Sequence, residues 1–313
     1  MYSIKLQRAF TLIELIFVIV ILGIVASIGS SIIAQVFGGY ITQRAVHDAS
    51  LKTELAINQL SNRLSYRINN SLLARNPNST GNVPIIDFYS ARNVPVAVRS
   101  KYSALEWISY DSDSFEADKD PRWSAFCDLN AVRTNFFSIY SPGSSLKSMS
   151  KIKAHYNAKR GAIRFMTNNF DSNNSKVYDS RCIYGGSAEG CMFPVNIAKY
   201  RIITFPYSNA GDRTNGEMVY SEFYQYAISA FAVVPENKST INGVEVFDLN
   251  FYYGYQPWED EYFKQGKSAT LIKNVSVFRF RKEQNSIRLK LCVIEQISET
   301  DQISICKEKA VIR

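Results

Sequence analysis

One stretch constrains this 313-residue chain more than any other: no charged residue occurs between Leu15 and Gln43, and from Phe10 to Phe37 the only charge is Glu14. A bilayer-spanning helix needs about 20 apolar residues, and this run exceeds that. A carboxylate near one end of such a span costs roughly 2.5–3.5 kcal/mol or more if it sits deep, so Glu14 should have a partner and a task. Ahead of the run lie Lys5 and Arg8. By the positive-inside rule they hold the N-terminus in the cytoplasm and send the rest of the chain, from about Gln35, across the membrane.

Simpler targeting segments fit less well. A secretory signal peptide has an apolar core of about 7–15 residues, shorter than this one, and would avoid an early Glu. No Cys follows the run to make a lipoprotein anchor. An ordinary signal anchor accounts for the hydrophobicity but not for Glu14 placed shortly after Ala9.

The leader Met1–Ala9, the sequence Phe10-Thr11-Leu12-Ile13-Glu14 and the apolar run Leu15 to Ile33 together resemble the N-terminus of type IV prepilins and pseudopilins. The resemblance covers about the first 45 residues. It implies cleavage between Ala9 and Phe10 by a prepilin peptidase, N-methylation of Phe10, and retention of Glu14 as an assembly residue. The family usually has Gly before the cut; Ala9 is the next smallest side chain. The resemblance also implies an α+β fold on a lollipop plan, with a long N-terminal helix and a C-terminal β-rich globular head. Its location would be the bacterial inner membrane, single-pass, with the head in the periplasm and the subunit assembled into a periplasmic or surface fibre. Partners would be other major and minor pilins or pseudopilins, the peptidase and the inner-membrane assembly platform.

Residues 1–9 are thus read as leader, 10–37 as the transmembrane or filament-core helix, 38–75 as an amphipathic helix continuing into the head, and 76–313 as the head. Leu51, Leu55, Leu60, Leu64, Ile68 and Leu72 recur at four- or five-residue steps and are read as one helix face. Lys52, Glu54, Arg63 and Arg67 fall off it. Pro77 is the first proline and is taken as the stop. One helix of roughly 60 residues would be about 90 Å long.

About 240 residues remain beyond this helix, enough for one large domain. With 19 Tyr, 19 Phe and 46% hydrophobic residues, the composition is that of a folded protein. Strands are expected at 84–89, 94–98, 105–110 and 136–140, and in the C-terminal half at 162–167, 200–205, 219–234, 244–255, 271–281, 286–294 and 302–312. Glu283-Gln284-Asn285 reads as a hairpin turn. The order Tyr252-Tyr253, Trp258, Leu271 to Val275 and two final strands loosely resembles large minor pseudopilins of the J or W type.

The five cysteines suggest two bridges in a compartment that permits them. Cys182 and Cys191 flank a glycine-rich loop, where a bridge would contribute about 2–3 kcal/mol. Cys292 and Cys306 sit on the polar faces of the last two strands and could lie opposite each other. Cys127 is left over.

The acidic stretch Asp111 to Asp120 lacks the Gly that a calcium loop needs at its sixth position, which is Glu116. No nucleophile elbow, phosphate-binding glycine loop or zinc-protease motif is present, and His155 lacks a nucleophile partner in sequence. No catalytic residue and no cofactor or metal is expected. Net charge is +8, and the densest basic stretch is Lys147, Lys151, Lys153, Lys159, Arg160 and Arg164. It is the candidate nucleic-acid contact if the chain is instead a DNA-binding competence pilin. A third reading is an unprocessed membrane-anchored periplasmic domain; the leader and Glu14 argue against it.

Overall fold

A computed structural model describes residues 11–68, 71–78, 88–90, 100–112, 122–135, 137–146, 149–166, 192–199, 201–205, 221–283 and 285–312. It shows the α+β plan: one long helix, α1 (Leu12–Ser65), followed by a β-rich head of two antiparallel sheets. In chain order the remaining elements are β1 (Leu73–Arg75), β2 (Phe88–Ser90), β3 (Ala104–Ile108), β4 (Ser138–Tyr140), α2 (Met149–Tyr156), β5 (Gly161–Phe165), β6 (Phe193–Lys199), β7 (Ile202–Thr204), β8 (Tyr224–Ala227), β9 (Ala230–Ile241), β10 (Val244–Tyr255), β11 (Lys267–Glu283), β12 (Ser286–Gln296) and β13 (Gln302–Ile312).

The large sheet runs β13-β12-β11-β10-β9-β3-β1-β2, and the smaller one runs β4-β7-β6-β5-β8. The chain crosses between them within the expected strand 219–234, which is therefore two strands. β8 belongs to the small sheet and β9 to the large one, with Ile228 and Ser229 between them. Ser229 makes the corner: its Oγ donates to the Ala230 carbonyl at 2.6 Å and accepts from the Gly254 amide at 2.8 Å. Gly254 has φ +78°, and a Cβ there would stand 2.9 Å from the Tyr156 carbonyl oxygen, so the site takes glycine on both counts. The turn between β9 and β10 is Asn242-Gly243, both at positive φ, the type I′ signature that matches strand twist.

The head half of α1 buries Ala49, Thr53, Ala56, Ile57, Leu60, Ser61 and Leu64. These recur at steps of three and four, the spacing of one helix face. The expected stripe is corrected in its first members, since Leu51 is 49% exposed and Leu55 63%. The five-residue step from Leu55 to Leu60 turns the helix about 140° beyond a full turn, so the pairs lie on opposite flanks. Small and hydroxylated residues do the packing instead. The buried hydroxyls of Thr53 and Ser61 donate back to the Ala49 and Ile57 carbonyls at 2.6 and 2.7 Å, so neither is left unsatisfied.

Against this face lies the main core, in which Leu60 and Leu64 join Trp107, Phe231, Leu249, Leu289, Leu291 and Val293. Each such apolar side chain contributes about 1.5–3 kcal/mol on burial. Lys52–Glu295 and Lys307–Glu54 ion pairs flank the helix, at 3.4 and 3.6 Å. These exposed pairs fix orientation more than stability.

The helix ends at Ser65 and not near Pro77; the expected helical segment up to residue 75 instead contains β1. The cause is Arg67. Arg67 is 3% exposed, and its guanidinium donates to the carbonyls of Leu64 (2.8 Å), Asn285 (2.7 Å) and Val311 (3.4 Å). A cation just past the last turn satisfies a terminal carbonyl and interacts favourably with the negative end of the helix dipole. It also ties that end to the β11–β12 turn and to β13. Arg67 was expected on the polar flank; it is buried because three backbone acceptors meet there. Ile68 and Leu72 are buried as expected, beyond the helix end.

Candidate functional site

Helix α1 starts with a reciprocal cap. Thr11 is the N-cap, in extended conformation, and its Oγ1 accepts the Glu14 amide at 3.4 Å. In return the Glu14 Oε2 accepts the Thr11 amide at 3.0 Å and the Thr11 hydroxyl at 2.9 Å. The Thr-x-x-Glu spacing is a capping box, and it satisfies two donors that a helix start leaves open. Sequence reasoning singled out Glu14 and passed over Thr11, although the spacing was there to read. Both bonds that Glu14 accepts fall on Oε2, so Oε1 keeps its lone pairs for another donor. Ala9 and Phe10, the expected cleavage pair, lie outside the described residues, as does the rest of the leader.

From Leu12 to Ile41 the helix presents its apolar side chains outward; Phe17, Leu22, Val36 and Phe37 are all more than half exposed. None of its most apolar 18-residue window is buried within the protein, and α1 is long and apolar enough to cross a membrane. Exposure of so much apolar surface has no stable solution in water, and it marks a surface meant for lipid or for other chains.

Of the predicted cysteine pairs, Cys292 and Cys306 face each other directly across β12 and β13 and are joined, with S–S 2.11 Å. They share the outward face of the hairpin with the Lys290–Glu308 ion pair, although Cys292 itself is buried beneath its neighbours. Cys127 is free and fully buried, its Sγ donating to the Ser221 carbonyl. Burial first, and then the carboxylates of Glu222 and Asp128, push its thiol up to about 12. Cys182 and Cys191 lie outside the described residues, as does most of the acidic stretch that follows Asp111.

The basic stretch is divided. Arg160 makes a two-point pair with Glu259, at 2.6 and 2.8 Å, and Lys159 pairs with Glu261 at 2.8 Å. Two of its cations are thus answered by carboxylates of the same molecule. Arg164 is half-buried on β5, Lys153 is half-buried on α2, and Lys147 and the Lys151 side chain lie outside the described residues.

Comparison with known proteins bears on the N-terminus. Residues 4–30 match the family model of the prokaryotic N-terminal methylation motif. No curated protein and no solved structure matches the chain. The match spans Lys5 and Arg8 of the leader, the Thr11–Glu14 cap and most of the apolar run Leu15 to Ile33, and it supports a prepilin-type pilin or pseudopilin. Proteins with that motif are structural fibre subunits, not enzymes. Among the described residues one helix is long and apolar enough to span a membrane, and it fits single-pass anchoring of that kind.

Proposed function

We propose that this chain is a minor pilin or pseudopilin of a type II secretion or type IV pilus-like fibre, cut between Ala9 and Phe10 and methylated on Phe10. Its large head suits few copies, placed at the tip or acting in initiation, and the J or W type of pseudopilin is the subfamily we favour. The observation that carries the reading is the single helix whose first half is wholly exposed and apolar while its second half is built into the head. Such a helix commits the head to whatever the apolar half enters. In the membrane that is lipid; in a fibre it is the same helix of other subunits, held with the head in the periplasm. Assembly would proceed on an inner-membrane platform.

Glu14 sets the register in this account. The cap with Thr11 holds the carboxylate at the helix start with Oε1 open, so the Phe10 amine of a neighbouring subunit can approach without breaking the cap. Methylation leaves that amine basic. An ion pair in low dielectric is costly to leave open, so one axial offset between subunits is favoured. Replacing Glu14 by Ala removes the pair and the carboxylate half of the cap, while the amide of residue 14 can still donate to the Thr11 hydroxyl. The variant should insert in the membrane at least as well as the parent and keep the unfolding midpoint of its head. It should fail to co-purify or crosslink with partner pilins in cells. Assembly and activity equal to the parent would end the register-setting role. The DNA-uptake alternative draws no support from Lys159 and Arg160, whose charges are already answered within the head.

A further inference from the structure

A groove of about 340 Å³ opens between α1 and the start of β11. Gln59, Leu60, Asn62 and Arg63 form one wall; Phe251, Ala269, Thr270 and Leu271 form the floor and the other wall. That volume falls at the small end of ligand pockets, room for one bulky side chain. Its floor belongs to an aromatic ladder that crosses three strands. Trp107 stacks on Phe231 at 6.0 Å, Phe231 on Phe251 at 5.6 Å, and Phe251 on Tyr253 at 6.1 Å.

Arg63 stands at the groove wall with its guanidinium 5.8 Å from the Phe231 ring. The side chain is exposed, and no carboxylate pairs with it among the described residues. Its neighbours on the helix show the contrast: Lys52 and Glu54 are both paired. A planar cation held over an aromatic face keeps its in-plane donors free, which is the geometry that takes a carboxylate by two hydrogen bonds.

Exposed apolar surface continues past the groove. Leu55 and Leu51 lie one and two turns before Gln59 on the same flank of α1, 63% and 49% exposed. From Leu51 to Arg63 the helix runs about 18 Å. A small molecule that filled the groove would leave both leucines bare; a polypeptide segment can cover all of them.

We infer that this groove and flank receive a segment of a partner polypeptide that carries a bulky apolar side chain beside a carboxylate, the side chain entering over Phe251 and the carboxylate meeting Arg63. The inference concerns the head alone and does not depend on leader cleavage or on the fibre reading.

The test uses the full-length chain in detergent micelles and the blocked peptide acetyl-Leu-Phe-Glu-Leu-amide, titrated by calorimetry. A twin peptide with Gln in place of Glu, the variant Arg63→Gln and the variant Ala269→Trp complete the set. Saturable binding of the Glu peptide is expected. It should weaken about tenfold for the Gln twin, and equally for Arg63→Gln, because each loses the same charge-assisted pair. Ala269→Trp, which fills the groove from an exposed position, should abolish it. Unchanged unfolding midpoints show that both variants remain folded. The inference is overturned by no saturable binding at concentrations on the order of 10 mM, by equal affinity for the two peptides, or by full binding to Ala269→Trp.

Discussion

At the scale of single residues, the head relies on a few polar groups placed where backbone ends meet. Arg67 serves three carbonyls at once, on α1, the β11–β12 turn and β13. Arg67→Met keeps the length of the stem but strips the donors, leaving buried acceptors unsatisfied at about 1–3 kcal/mol each where water cannot reach them. We expect roughly 2–4 kcal/mol of destabilisation in urea unfolding of the variant; a loss under about 0.5 kcal/mol would show the carbonyls to be satisfied otherwise. Cys127 makes the second case. Its thiol ionises near 9 in the unfolded chain and only near 12 in the folded one. The folded form therefore keeps a proton that the unfolded form loses, so stability is full below about 9 and declines as pH rises towards 12. Tyr224, pushed up to about 12 chiefly by burial, adds to the decline at the upper end. Cys127→Ser, which keeps a donor for the Ser221 carbonyl, should delay the onset of the alkaline decline in unfolding midpoint against pH. An onset identical to the parent's would contradict this assignment.

At the scale of elements, the C-terminal hairpin is the best-defined piece. β12 and β13 pair without a slip from Ser286↔Ile312 to Gln296↔Gln302, with Cys292 opposite Cys306. The alternation of Ile287, Leu289, Leu291 and Val293 with Arg288, Lys290 and Cys292 made the register legible, because a one-residue slip would turn those apolar side chains outward. A bridge closing a loop of this size stabilises by about 3 kcal/mol in the chain-entropy model. Replacing both cysteines by Ser should lower the unfolding midpoint to that of the parent under reducing conditions, and reductant should then have no further effect on the variant. A midpoint in the double variant equal to that of the oxidised parent would show the bridge to be dispensable. The helix was less legible. Its hydrophobic half and its cap follow from composition and spacing alone, whereas its head half is packed through Ala49, Thr53, Ala56 and Ser61, which carry no strong apolar signal. Leu60 and Leu64 are buried as expected, but Leu51 and Leu55 fall on the other flank and are left exposed. Nor could sequence foresee the break at Ser65, because the acceptors that hold Arg67 come from residues far along the chain. The strand 219–234 failed similarly: both sheets need apolar residues, so the change of sheet at Ser229 leaves no mark on the hydrophobic pattern.

At the scale of the whole molecule, one helix does two jobs that solvent keeps apart. Its N-terminal half exposes apolar surface with a single carboxylate at the start, and its C-terminal half is locked to the large sheet by a buried face, by Arg67 and by flanking ion pairs. The family match reaches only to residue 30, so the head's own specialisation has to be read from its surface, where the Arg63 groove and the Leu51–Leu55 flank stand out. The central claim is that the chain is a processed prepilin-type subunit, and its N-terminus tests this most directly. N-terminal sequencing and intact mass of the protein extracted from membranes of cells with an active prepilin peptidase should give a chain that begins at Phe10 with a methylated amine. A chain beginning at Met1, or one cut beyond Glu14, would contradict the account.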